Sequence, residues 1–170
     1  MVRTQTVLDS WKVVRQDTIH AVNEFPASSF DEHPIPDVMS FREIARHILD
    51  VGYVLTGVLL DGVDNLATPD FRQMRHKYIH PLPADAQPDA LAGALEESLN
   101  TRTAELALRS PEFFAREITR FDGQRVTRLE LLQFAKEHEL EHRSQLFVLL
   151  RLRGIVPSTT RRRRAAQAKA

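Results

Sequence analysis

The sequence predicts an all-α fold, a four-helix bundle with a long crossover between its second and third helices, and three observations predict it. Four stretches of about 20 residues or more repeat apolar side chains at the helical period. Proline-rich segments separate them, and β-prone residues are confined to one short piece around Asp122-Gly123. A chain of 170 residues, 42% hydrophobic and 27% charged, suits a single soluble domain large enough to bury a core. The expected domain runs over residues 1–157, followed by a basic, disordered tail over 158–170.

The first helix is expected from about Thr4 to Glu24. Val7, Trp11, Val14, Thr18, Val22 and Phe25 form its stripe, while Arg15, Asp17 and His20 fall off it; Pro26 ends it. The segment 26–38 contains three prolines and reads as a loop, with His33 held out of the helical region by Pro34. Ser40 and Glu43 then make a capping box, and Phe41, Ile44, Ile48, Val51, Leu55 and Val58 give the second helix its buried stripe. His47 lies within that apolar face, where an imidazole needs a partner.

Residues 61–88 form the crossover, with one short amphipathic helix marked by Phe71, Met74 and Tyr78. A connection this long allows the helices it joins to run parallel. His76 and His80 are four apart, but His80 precedes Pro81 and His76 faces away from the local stripe, so this pair is a poor clamp. The third helix reads from Pro88 to about Arg109 around Leu91, Leu95, Leu99 and Leu106. A small hairpin turning at Asp122-Gly123 is expected over 117–126. The fourth helix begins with a second capping box, Thr127 and Glu130, and ends near Arg153, before Gly154 and Pro157.

On that last helix Leu131, Ala135, His138, His142, Gln145 and Leu149 share a stripe. Residues four apart differ by only about 40° around the axis, so His138 and His142 can reach one cation. The letters His138-Glu139-Leu140-Glu141-His142 also spell the zinc-protease motif. Such proteases take a third ligand downstream, yet no His, Asp, Glu or Cys occurs from Arg143 to Ala170. The third ligand must therefore come from upstream, and His47 is the histidine already placed on a core face. A site of His47, His138 and His142 suits Zn²⁺ or Ni²⁺, with Mn²⁺ or Fe²⁺ more often wanting an added carboxylate. On the opposite side of the helix, Leu140 and Phe147 read either as surface apolar residues or as a dimer contact.

The balance of charge narrows the function classes. The formal net charge is zero, but five of the 23 basic residues, Arg161 to Arg164 and Lys169, follow Pro157, which leaves residues 1–157 at −5. An acidic body argues against a nucleic-acid partner. The absence of cysteine excludes a disulfide frame and a protein thiol nucleophile. No apolar run approaches the ~20 residues needed to span a bilayer, and the N-terminus shows no signal-peptide core, so a cytoplasmic protein without a membrane partner is expected.

His47 in the second helix, Gly123-x-x-x-Thr127, His138-Glu139-x-x-His142-Arg143-Ser144-Gln145-Leu146 and Leu150-Arg151-x-x-Gly154-x-x-Pro157 together resemble the DinB/YfiT-like family, which is distinct from the DNA polymerase of that name. The similarity spans residues 4–157 and is most specific in the last helix. Ser144 departs from it, standing where a glycine is expected, on the outer face. The resemblance implies an up-down-down-up four-helix bundle, a homodimer, and a divalent metal held by His47, His138 and His142. Its better understood members are transferases or isomerases using a low-molecular-weight thiol such as mycothiol or bacillithiol. The resemblance therefore implies a metal-dependent enzyme acting on a small-molecule electrophile, with the sulfur supplied by a cofactor. The alternatives are a metal-dependent hydrolase using Glu139 or Glu141 as general base, Glu141 lying nearer the metal face, and a non-catalytic metal-binding stress-response module.

Overall fold

Four long helices carry the structure, a computed structural model that describes residues 3–169. The first two residues of the expected domain and the last of the expected tail lie outside it. The helices are α1 (Thr4–Glu24), α2 (Phe41–Leu60), α4 (Pro88–Ala107) and α6 (Arg128–Leu152); α3 (Pro69–Met74), α5 (Pro111–Ala115) and α7 (Ser158–Gln167) are shorter. The long boundaries follow the local chemistry. Ser40 with Glu43 and Thr127 with Glu130 both close complete capping boxes, Pro88 opens α4, and Gly154 leaves α6 at φ +75°.

Each long helix packs against two others: α1 against α4 and α6, and α2 against the same pair. α1 and α2 therefore face each other across the bundle, and α2 and α6 share a seam. The core divides into two clusters. One joins Val22, Phe25, Ile44, Ile48, Leu91, Leu95, Leu146 and Leu150. The other joins Val7, Trp11, Leu55, Leu59, Leu99, Leu106, Leu131 and Leu132.

The expected hairpin forms. β1 (Glu117–Thr119) pairs antiparallel with β2 (Arg125–Thr127), Ile118 opposite Val126, and Gly123 turns the chain at φ +82°. Thr119 also bonds to the crossover, donating to Asp64 O at 2.9 Å and accepting from Leu66 N at 2.8 Å. Since Thr127 ends β2 and caps α6, the hairpin fixes where α6 begins. The short crossover helix is α3, continued by a 3₁₀ turn over Arg75–Tyr78.

Three expectations are corrected. Arg15 and Asp17 were placed off the buried stripe of the first helix, but both are only 3% exposed, because each meets an opposite charge from another helix. Leu140 and Phe147 were read as surface or dimer residues. Phe147 is buried in one core cluster and Leu140 packs against the other, since α6 lies between two neighbours and buries a wide arc. The tail was expected to be disordered, but α7 docks on α1. Arg162 Nη1 and Nη2 donate to Asp17 at 2.7 and 3.0 Å, Ser158 Oγ donates to Asp17 Oδ1 at 2.9 Å, and Arg161 pairs with Glu24. These contacts are ionic rather than apolar, so hydrophobic period could not announce them.

Candidate metal centre

His47 projects from the second turn of α2 toward α6, and His138 and His142 project back from successive turns of α6. All three rings are half-buried, and one ligand atom from each lies within 4.8 Å of the others. His47 Nε2 and His138 Nε2 are 3.2 Å apart. Two imidazole nitrogens on a tetrahedral zinc ion stand about 3.3 Å apart, given Zn–N bonds of ~2.0–2.1 Å. The donor set and spacing therefore fit a divalent ion.

Protonation favours the same use. Burial, followed by the neighbouring His142 and His47, pushes His138 down to about 4, against a weaker opposing pull from Glu139. Burial and then His142 also lower His47, with Asp50 opposing. Both rings are neutral near pH 7, the form that ligates. His142 Nδ1 lies 3.0 Å from Gln145 Oε1. A proton on Nδ1 is donated there, which leaves Nε2 with its lone pair.

Glu139 turns away from this cluster into the middle of the bundle, where it is 2% exposed. It accepts from Trp11 Nε1 at 2.5 Å, from Arg15 Nε and Nη2 at 2.8 Å each, and from Thr18 Oγ1 at 2.8 Å. Every oxygen lone pair of that carboxylate has a claimant, so Glu139 is a structural anion and not a free base. Glu141 is exposed to solvent.

With this geometry in place, comparison with known proteins decides the family: the DinB family profile matches residues 1–169. The chain belongs to the DinB family. No curated protein matches it by sequence. Among solved structures, the DinB-like protein YjoA of Bacillus subtilis is similar at 25% identity, with 88% of this chain and 92% of that one covered and a TM-score of 0.69. YfiT of Bacillus subtilis, described as a "probable metal-dependent hydrolase with an unusual four-helix bundle topology", is 17% identical, covering 89% and 88% of the two chains at a TM-score of 0.68. A mycothiol-dependent maleylpyruvate isomerase is 16% identical over 85% of this chain and 61% of its own, at a TM-score of 0.64. The last two share the fold.

The other four histidines of this DinB chain lie outside the cluster, and His20 on α1 keeps its Nδ1 buried without a partner. His76 Nδ1 bonds Gln73 O at 2.6 Å, His80 packs edge-on to Tyr53, and His33 Nδ1 bonds Val38 O at 2.9 Å. Among the described residues, His47, His138 and His142 are the cluster able to hold an ion. Sequence reasoning overlooked Asp50, one turn beyond His47. Its Oδ2 accepts from Arg46 Nε at 2.9 Å, while Oδ1 is buried without a partner. The signal was available, because i+3 spacing puts Asp50 on the side of α2 that carries His47.

Proposed function

We propose that this protein is a divalent-metal-dependent enzyme in which His47, His138 and His142 hold the metal and a low-molecular-weight thiol is activated for transfer to, or isomerisation of, a small electrophile. The observation that carries this reading is the three-imidazole cluster, whose ligand atoms lie within 4.8 Å of one another. When bound, a divalent ion with an open coordination position supplies Lewis acidity that stabilises a thiolate near neutral pH.

The chain's own groups support the rest. Gln145 holds His142 in one tautomer, and the hydrogen bonds to Glu139 fix the rotation of α6 that aims both of its histidines at α2. With no cysteine in the sequence, the sulfur has to come from a cofactor such as mycothiol or bacillithiol. Zinc or nickel suits the three-nitrogen donor set better than manganese or iron.

A hydrolase is the second reading, and one observation favours it: Asp50 Oδ1, unpartnered on the side of α2 that carries His47, is the carboxylate oxygen best placed to serve as a base once Glu139 is committed to Arg15. A homodimer in the cytoplasm acting on a small molecule, without nucleic acid, belongs to the same proposal. No helix among the described residues is long and apolar enough to cross a membrane. The up-down-down-up course of the bundle is supported by the two core clusters, which join the end of α1 and of α6 with the start of α2 and of α4, and the reverse.

Elemental analysis of untagged wild type and His142→Ala tests the metal. Near-stoichiometric zinc or nickel in the wild type and its loss in the variant are expected. A wild type that takes up no ion on reconstitution would return the protein to the class of helical binding modules.

A further inference from the structure

The α2–α6 seam that carries the three histidines continues past them in both directions, and its two ends differ in chemistry. Toward the start of α2 and the end of α6 lies a cavity of about 610 Å³. Its nearest walls are Ile44 and Gln145, each three residues from a histidine of the cluster, so the cavity begins about 4.5 Å along the helices from His47 and His142. Gln145 belongs to both places, since its Oε1 bonds His142 Nδ1 and its side chain lines the cavity. Beyond the histidines in the other direction is a cavity of about 300 Å³ that carries Asp50 and Arg75.

The walls of the larger cavity are apolar. Val38 and Met39 come from the loop before α2, and Val148, Leu149 and Leu152 from α6. Asp37 is the one ionisable group among them, and it would repel an anion. Ile35, Val148 and Leu152 on the rim are 60%, 55% and 69% exposed, a concentration of apolar surface that a ligand would cover. A mostly apolar concavity of this size beside a few convergent polar groups has the character of a small-molecule site.

We propose that this cavity is the subsite for an uncharged hydrocarbon tail on the substrate, whose reactive head lies at the three histidines. The proposal rests on the metal-centre reading and adds the substrate class: amphipathic molecules with a polar, metal-binding head and an apolar chain or ring, and not molecules with a carboxylate at the far end.

Two titration series test it. Isothermal titration of the metal-free protein with straight-chain alcohols from butanol to octanol is expected to show affinity rising about fourfold per added methylene until the cavity is filled. Val148→Glu, at an exposed rim position, is expected to flatten the series without moving the thermal midpoint. A flat series in the wild type would overturn the proposal. Alkanethiols of the same lengths, added to Co²⁺-loaded protein, connect the cavity to the centre: the sulfur-to-cobalt absorption is expected to saturate at lower concentration as the chain lengthens. A rising alcohol series with a cobalt signal indifferent to chain length would overturn the assignment of the cavity to the substrate's tail. Failure to bind Co²⁺ at all would sink the metal-centre reading and with it the head-group assignment, while the alcohol series decides the cavity separately. A wild-type dimer that Val148→Glu converts to a monomer in sedimentation would make the groove an interface between copies, which also overturns the proposal.

Discussion

The carboxylate of Glu139 draws four donors from Trp11, Arg15 and Thr18, all on the neighbouring helix α1. A buried ion pair adds little net stability, because desolvation consumes most of its attraction, but removing one partner leaves the other charge stranded. Glu139→Ala is therefore expected to cost about 3–5 kcal/mol in urea unfolding, and Glu139→Ala combined with Arg15→Leu to recover part of that loss. A single-variant loss under about 1 kcal/mol would mean that Arg15 finds water instead. The histidines carry a pH prediction of definite sign. His138 sits at about 4 in the native state against an ordinary 6.5, so the unfolded chain takes up its proton first as pH falls. Its contribution to the stability of metal-free protein is complete above about 6.5, declines toward 4 and is gone below that. Urea midpoints should fall more steeply over this window in wild type than in His138→Gln; parallel curves would refute the assignment. The three histidines were legible in the sequence because helical period alone sets their faces. The burial of Glu139 was not, since its partner Arg15 lies 124 residues away and the pairing exists only after folding.

At the scale of elements, local chemistry wrote most of the boundaries. The two capping boxes, Pro88 and the Asp122-Gly123 turn lie within a few residues of what they control, so α2, α4, α6 and the hairpin could be placed from the sequence. α5 was missed, although Ser110 caps it and Pro111 opens it, because its five residues are too short to show a period. What no local pattern reveals is how the crossover packs. Gly57 lies where the crossover meets α2, and a Cβ there would stand 2.7 Å from Tyr78 Cδ1. Tyr78 is buried, and its hydroxyl donates to Asp61 Oδ2 at 2.9 Å, so the ring cannot withdraw freely. Gly57→Ala gains helix propensity of up to ~1 kcal/mol but overpacks by ~1–3 kcal/mol, for an expected net loss of about 1–2 kcal/mol in chemical denaturation. Tyr78→Leu should relieve part of that loss in the double variant. A stabilised Gly57→Ala single variant would show that the crossover moves aside.

At the scale of the whole molecule, the charge asymmetry finds its use inside the protein. Residues 1–157 carry a net −5 and the remainder five cations, and the structure brings two of those cations onto acids of α1 through Arg161–Glu24 and Arg162–Asp17. Burial pushes the Asp17 carboxyl up, but the hydrogen bonds from Arg162 and Ser158 and the charges of Arg162 and Arg143 outweigh it, so the group ends below its ordinary 3.8. α7 thus acts as an ionic clasp across the ends of α1 and α6, and composition showed its charge without showing what that charge faces. Deleting residues 158–170 removes the hydrogen bonds that Ser158 and Arg162 donate to buried Asp17, worth ~2 kcal/mol together, and should lower the melting temperature by roughly 4–8 °C near neutral pH. Because the native Asp17 value is depressed, the advantage of the full chain should be complete above about pH 3.8 and shrink as pH falls through the lower native value, where protonated Asp17 no longer needs Arg162. Melting curves of the full and shortened chains at several pH values make the comparison. Equal midpoints at neutral pH would mean that the clasp contributes nothing, and a gap that persists at the lowest pH would assign its contribution to packing rather than to Asp17.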